Sequence, residues 1–174
     1  LHLTNFDLGK MVDEVKGELI HFARAHNVDI NNHIPADLPQ ASADLDKVRE
    51  VILNLSTNAI KYSPIGHHEV NISAVIKGKM IECSVQDQGI GIPEKDQAHL
   101  FEKFYRADNA IESQTEGSGL GLYIAREIIR LHGGDIWFTS KEGVGTTIYF
   151  NIPIYGHWPI QTIYPRSGGW IFFI

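Results

Sequence analysis

Asn54 and Asn58, followed by Lys61 and Tyr62, are the first side chains in this chain whose types and spacing could do chemistry together. On a helix, residues four apart share one face, with the lysine and the tyrosine next to it. An amide oxygen is a hard, neutral ligand that suits Mg²⁺, which keeps much of its water and also binds phosphate oxygens. A lysine balances phosphate charge, and an aromatic ring can stack on a base. The wet side of any amphipathic helix gives the same pattern, so this group decides nothing alone.

Three further groups supply matching chemistry. Asp87-Gln88-Gly89-Ile90-Gly91-Ile92-Pro93 offers a carboxylate that can accept from an exocyclic amine, such as that of adenine, on a loop flexible enough to wrap a ring. A turn in which Asp87 bonds its own backbone is the competing reading. Leu100 to Arg106 holds Phe101 and Phe104, expected to pack, and Arg106, whose planar fork suits phosphate. Gly117-Ser118-Gly119-Leu120-Gly121-Leu122 alternates three glycines and runs into the apolar-periodic positions Leu122, Ala125, Ile128, Ile129 and Leu131. The first turn of a helix presents unpaired N–H groups and the positive end of a dipole, which favours phosphate.

These groups need elements to hold them. Asp7 caps a predicted helix with apolar positions at Leu8, Val12, Val15, Leu19 and Phe22, fading near His26-Asn27. Val28 to Ile34 reads as a short strand. Asp44 caps a second helix with a stripe of Leu45, Val48, Ile52, Leu55 and Ala59, ending near Tyr62 before Pro64. Val70 to Ile76 and Ile81 to Val85 alternate as strands around a hairpin turn at Lys77-Gly78-Lys79. A short helix is expected over Glu94 to Phe104, then a polar, irregular and mobile stretch from Arg106 to Ser118. The glycine-started helix stops at Gly133-Gly134, and Ile136 to Ser140 and Thr146 to Ile152 form a last hairpin. The final 20 residues hold Trp158, Trp170, Phe172 and Phe173 but no acidic residue, and no function is assigned to them.

Composition bounds the function class. The 174 residues are 43% hydrophobic and 21% charged, which suits a globular domain with a real core. A net charge of −6 argues against a nucleic-acid face. The single cysteine, Cys83, rules out an intrachain disulfide and a multi-cysteine metal site. No run of about 18 apolar residues spans a membrane, and the first residues carry no signal-peptide pattern. The start at Leu1 reads as that of a piece excised from a longer protein. Neither Gly9-Lys10 nor Gly78-Lys79 is followed by Ser or Thr, so there is no P-loop. The H-R-D and D-F-G motifs are absent, and the glycine run follows a polar loop where a dinucleotide fold requires a strand.

The groups, in this order, resemble the catalytic ATP-binding domain of two-component sensor histidine kinases, within the gyrase/chaperone/histidine-kinase ATPase superfamily. Asn54 to Tyr62 resembles its N box, Asp87 to Pro93 its G1 box, Leu100 to Arg106 its F box, Glu116 to Leu122 its G2 box, and Glu142 to Thr147 its last glycine motif. The resemblance covers residues 6 to 154, and it implies a domain over 1–154 with a tail of unassigned role over 155–174.

The resemblance implies an α+β fold: a two-layer α/β sandwich of the Bergerat ATP-binding type, with a mixed sheet covered on one face by helices. It implies ATP and Mg²⁺ as cofactors, with Asn58 holding the metal and Asn54 supporting it. Lys61 and Arg106 would face the phosphates, Tyr62 would pack on adenine, and Asp87 would bond its amino group. Gly89, Gly91, Gly117, Gly119 and Gly121 would shape the pocket and the hinges of a lid between Arg106 and Ser118. Ile92, Leu120, Leu122 and Thr146 complete the nucleotide-binding set. Hydrolytic relatives carry a glutamate four residues before the metal-binding asparagine; here Asn54 stands there, and an amide cannot act as a general base.

The implied reaction donates the γ-phosphoryl to a histidine on a dimerisation domain absent from this chain, for onward transfer to a response-regulator aspartate. The implied location is cytoplasmic, in a parent protein with or without a membrane anchor. None of the nine histidines is read as the acceptor; His68-Glu69 imitates the acceptor pattern but leads into a strand. The alternatives are a serine protein kinase of the same superfamily and a non-catalytic nucleotide-binding interaction module.

Overall fold

A computed structural model describes residues 1–112 and 117–155. The chain runs β1 (Leu3–Phe6), α1 (Leu8–Ala25), β2 (Val28–Asn32), β3 (Ala41–Asp44), α2 (Leu45–Lys61), β4 (His68–Lys77), β5 (Met80–Gln86), α3 (Glu94–Gln97), α4 (Asp108–Glu112), α5 (Gly121–Leu131), β6 (Ile136–Lys141) and β7 (Gly145–Pro153). Five strands form one sheet in the order β2-β4-β5-β7-β6, parallel between β2 and β4 and antiparallel elsewhere. The mixed sheet and its helical layer are the expected α+β sandwich.

Strand period explains the layering. Val70, Ile72 and Ala74 on β4, Ile81, Cys83 and Val85 on β5, and Ile148, Phe150 and Ile152 on β7 point to the same face, and all are buried. The register pairs Ala74 with Cys83 and Cys83 with Phe150 across the three central strands. Onto this face pack Val12, Val15 and Leu19 of α1, Val51, Ile52 and Leu55 of α2, and Ala125 and Ile129 of α5. The opposite face carries Ser84, Tyr149 and Trp137; the two rings stack at 5.7 Å.

The helix starts follow the predicted caps. Asp7 accepts from Lys10 N at 3.1 Å, and Asp44 accepts from Lys47 N at 3.2 Å. Asp44 also receives His2 N at 2.7 Å, which with the β1–β3 pair ties the N-terminal residues to the start of α2.

Some elements differ from the sequence expectation. The helix expected over Glu94 to Phe104 stops at Gln97. Phe104 sits at φ 63°, which no right-handed helix accommodates, and its N–H is taken by Gly119 O at 3.0 Å. The stretch after Arg106, expected to be irregular, contains α4. Residues 113–116, with Glu116 of the G2 box and part of the expected lid, lie outside the described residues, as does the tail beyond Tyr155 with its two tryptophans and two phenylalanines. Among the described residues, no helix is long and apolar enough to cross a membrane.

His132 is fully buried at the end of α5. Its Nδ1 donates to Ile128 O at 2.7 Å and its Nε2 accepts from Asp44 N at 3.0 Å, so the neutral ring joins the C-terminus of α5 to the N-cap of α2. Burial lowers its pKa, against the opposing pull of the Ile128 carbonyl and the Asp44 carboxylate. Protonation would set a second N–H against the Asp44 N–H. Because the folded pKa lies below the unfolded value of about 6.5, this group's stabilisation is present above that value and lost as pH falls through the folded pKa. Thermal midpoints are expected to fall between pH 7.5 and 5.5, with a smaller fall in His132→Gln. An equal fall in both chains would show that another group titrates.

Candidate functional site

A cavity of about 410 Å³ opens between the helical layer and two stretches of chain, Leu100 to Ala110 and Gly117 to Gly121. Its floor includes Val85 and Ile148, directly paired across β5 and β7, so part of it is flat and apolar. Polar groups converge on it from five places in the sequence.

Helix α2 supplies Asn54, Asn58 and Lys61, with Tyr62 as its C-cap, and all four line the cavity. Asn58 Nδ2 donates to Asn54 Oδ1 at 3.3 Å. That bond orients the Asn58 amide and leaves its Oδ1 to serve as a neutral oxygen ligand. Gly121 makes the closeness possible, because a Cβ there would fall 2.5 Å from Asn54 Oδ1.

Asp87 follows β5 and is held from two directions. Its Oδ1 accepts from Gly89 N at 2.8 Å and from Thr146 N at 2.9 Å, while its own N–H donates to Thr146 O at 2.9 Å. The sequence left open a choice between a self-bonded turn and a ligand carboxylate, and the geometry contains both. Oδ1 is spent on the backbone, and Oδ2 has no hydrogen-bond partner among the described residues. Burial raises the pKa of the carboxyl, partly offset by the N–H groups of Gly89 and Thr146.

The loop beyond Asp87 is tightly tied. Ile90 N donates to Tyr62 O at 3.0 Å, and Ile90 O accepts from Gly143 N at 2.8 Å. Ile92 N donates to Ser140 Oγ at 2.9 Å, and Ile92 O accepts from Gln97 Nε2 at 3.0 Å. Gly91 between them sits at φ 66°, and a Cβ there would lie 2.1 Å from Lys141 O, so only glycine fits.

The far wall comes from the other two glycine-bearing and basic groups. Arg106 lines the cavity, and its Nη2 donates to Ala110 O at 3.0 Å. Gly117, Gly119, Gly121 and Leu122 complete that wall. Helix α5 begins at Gly121 without a side-chain cap, leaving its first N–H groups beside the cavity. Gly89 and Leu120 do not line it: Gly89 packs behind Asp87 and Tyr62, and Leu120 is the N-cap position of α5.

Two expectations on the F-box segment divide. Phe101 packs, with its ring 5.8 Å from Phe138 and Arg126 stacked over it at 5.7 Å. Phe104 does not pack; it is 71% exposed, turned outward by its left-handed backbone. The sequence reading also missed Asn109, which lines the cavity, and Ser140 and Gln97, which brace its wall. No motif flags these three: the partners of Asn109 and Ser140 are distant in sequence, and Gln97 acts through a backbone carbonyl five residues back.

The family model described as histidine kinase-, DNA gyrase B-, and HSP90-like ATPase matches residues 43–156. The chain belongs to that family. Sensor histidine kinase WalK of Bacillus subtilis (strain 168) is 42% identical over 131 residues, which is 75% of this chain and 21% of WalK. The full-length ShkA structure in complex with AMPPNP superposes with a TM-score of 0.77 at 27% identity, covering 88% of this chain and 31% of that one. Histidine kinase ThkA in complex with the response regulator protein TrrA gives a TM-score of 0.71 at 27% identity, covering 87% of this chain and 42% of that one. The fold of this ATPase-family chain is thus that of histidine-kinase catalytic domains, and the chain spans less than half the length of these relatives.

Asp87→Asn separates binding from folding in this domain. The amide keeps an oxygen for the Gly89 and Thr146 N–H groups and removes a buried charge. Because the folded pKa of Asp87 is raised, its contribution to stability is present below the ordinary carboxylate range and lost as pH rises through the folded value. At pH 7 the ligand-free variant is expected to be at least as stable as the parent chain in urea. A loss above about 1 kcal/mol would mean that the carboxylate itself holds the fold.

Proposed function

We propose that this domain binds Mg-ATP and donates the γ-phosphoryl to a histidine on the dimerisation domain of its parent kinase, from which a response-regulator aspartate receives it. The observation that carries this reading is the convergence on one cavity of a half-used carboxylate, an oriented asparagine amide, two cations and an uncapped helix start. ShkA, bound to AMPPNP, and ThkA, bound to TrrA, support the nucleotide and the response regulator respectively.

Each group has a role. The apolar floor of Val85 and Ile148 takes the adenine ring beside Tyr62, and Asp87 Oδ2 accepts from its amino group. Lys61, Arg106 and the first turn of α5 face the phosphates. The residues fit Mg²⁺: a single neutral amide oxygen suits an ion that keeps several waters and completes its shell with phosphate oxygens. When bound, the ion neutralises charge on those oxygens, and Asn58 is the residue that would hold it.

The site is built to hold ATP and hydrolyse it slowly. Asn54 cannot take a proton from water, and its oxygen is engaged with Asn58. One turn further up the same face, Glu50 pairs with Lys47 at 2.9 Å. With an amide at position 54, catalysis rests on positioning and charge, as phosphoryl transfer to another acceptor requires.

Calorimetry with ATP, with and without Mg²⁺, tests the binding roles. Asp87→Asn is expected to weaken binding about 10- to 150-fold, the effect of losing a charged acceptor in a buried site. Asn58→Ala should remove the Mg²⁺ dependence while sparing metal-free binding. Unchanged affinity in the first, or a persistent metal dependence in the second, would overturn the role concerned.

The transfer itself is read with radiolabelled ATP. The chain alone should turn over negligibly, and adding the parent dimerisation domain should yield an acid-labile, alkali-stable phosphohistidine. Fast hydrolysis would contradict the Asn54 argument. Label on a serine would move the assignment to the serine-kinase branch.

A further inference from the structure

We infer that Asn109 is a positioning residue for the nucleotide, acting through Gly91. Its Nδ2 donates to Gly91 O at 2.9 Å, joining the first turn of α4 to the loop that follows Asp87. Both residues line the cavity. This inference rests on the nucleotide reading above and adds a residue that no motif in the sequence marks.

Three observations make the bond more than a surface contact. First, it holds the backbone at its least conventional point: Gly91 is in the left-handed region, flanked by Ile90 and Ile92, whose N–H and C=O groups are all bonded elsewhere. Without Asn109, the Gly91 carbonyl would be the weak point in an otherwise fixed wall.

Second, α4 is itself anchored. Asp96 is buried, accepting the Tyr105 hydroxyl at 2.7 Å and Asp108 N at 3.1 Å. The short hydrogen bond pushes the Tyr105 pKa up to about 12, and Lys95 pairs with Asp108. The clasp therefore links two fixed bodies, the base-side wall and the start of α4.

Third, Asn109 Oδ1 is buried with no partner among the described residues. An unpartnered buried acceptor disfavours the fold, so stability alone does not account for an asparagine here. A side chain kept for its one donated bond fits a preformed site, where a fixed wall spares the ligand the cost of ordering it.

The test compares the parent chain with Asn109→Ala and Asn109→Asp. The aspartate conserves volume but faces the Gly91 carbonyl with an acceptor. Calorimetry with ADP and with AMPPNP, and hydrogen exchange at the Gly91 and Ile92 amides without nucleotide, are the readouts. Alanine is expected to weaken both nucleotides by the same factor, about 3- to 10-fold, and to speed exchange at both amides. Aspartate should weaken binding at least as much.

Equal affinity in all three chains, an aspartate variant that binds like the parent, or a loss confined to AMPPNP would each overturn the inference. The last result would place Asn109 in lid closure over the γ-phosphate. A parent chain that ignores both nucleotides would instead overturn the nucleotide reading. Unchanged exchange in the variants would then dispose of the clasp independently.

Discussion

Helix α2 can sit on the sheet in only one rotation, and the site depends on that constraint. Val48, Val51, Ile52, Leu55, Ala59 and Ile60 are all buried, and they form a single stripe of a 17-residue helix. With that stripe against β5 and α5, the remaining period of 3.6 carries Asn54, Asn58 and Lys61 to the cavity side. A rotation by one residue would bury an amide and expose a branched apolar side chain. The burial of one such side chain is worth about 1.5–3 kcal/mol, so the core fixes where the polar groups point.

The opposite wall is set by hydrogen bonds, with much less help from packing. Between Asp87 and Ile92 the chain has little regular structure, yet its polar groups are answered by Tyr62, Asn109, Ser140, Gly143 and Thr146. These partners lie on α2, α4, the β6–β7 turn and the ends of β6 and β7. A loop tied to that many separate elements holds its shape without a ligand. The side that would meet the phosphates is different in kind. It includes glycines, a helix start with no side-chain cap and an arginine that donates to Ala110 O. The wall beside Asp87 is thus held by backbone bonds to several separate elements, as suits a preformed binding surface.

Much of this was legible in the sequence because it is local. The caps Asp7 and Asp44, the stripe of α2, the alternation in β4 and β5 and the glycine stop after His132 all act within a few residues, and the structure follows them. β1 and β3 were not legible: four residues such as Ala41–Asp44 are too short and too small for their alternation to signal a strand, and they become strands by pairing with each other. The early end of α3 was hidden for a related reason. Its sequence continues to favour a helix, but Asp96 reaches forward to Tyr105 and Asp108, and Gly119 takes the Phe104 N–H. Tertiary bonds overrode propensity there. Asn109, Ser140 and Gln97 stayed invisible because an ordinary polar residue becomes part of a site only through what lies across from it.

The same distinction bears on what a substitution at Asn54 would do. In this cavity the Asn54 oxygen is an acceptor for Asn58, and a glutamate would also accept that bond while bringing a negative charge toward the phosphates. Gly121 lies directly against this side chain, and a Cβ there would fall 2.5 Å from the Asn54 oxygen. The two helices therefore meet at Asn54 and Gly121, beside the first N–H groups of α5. An amide at position 54 and a glycine at the start of α5 thus belong together, and a substitution at either position acts on both helices.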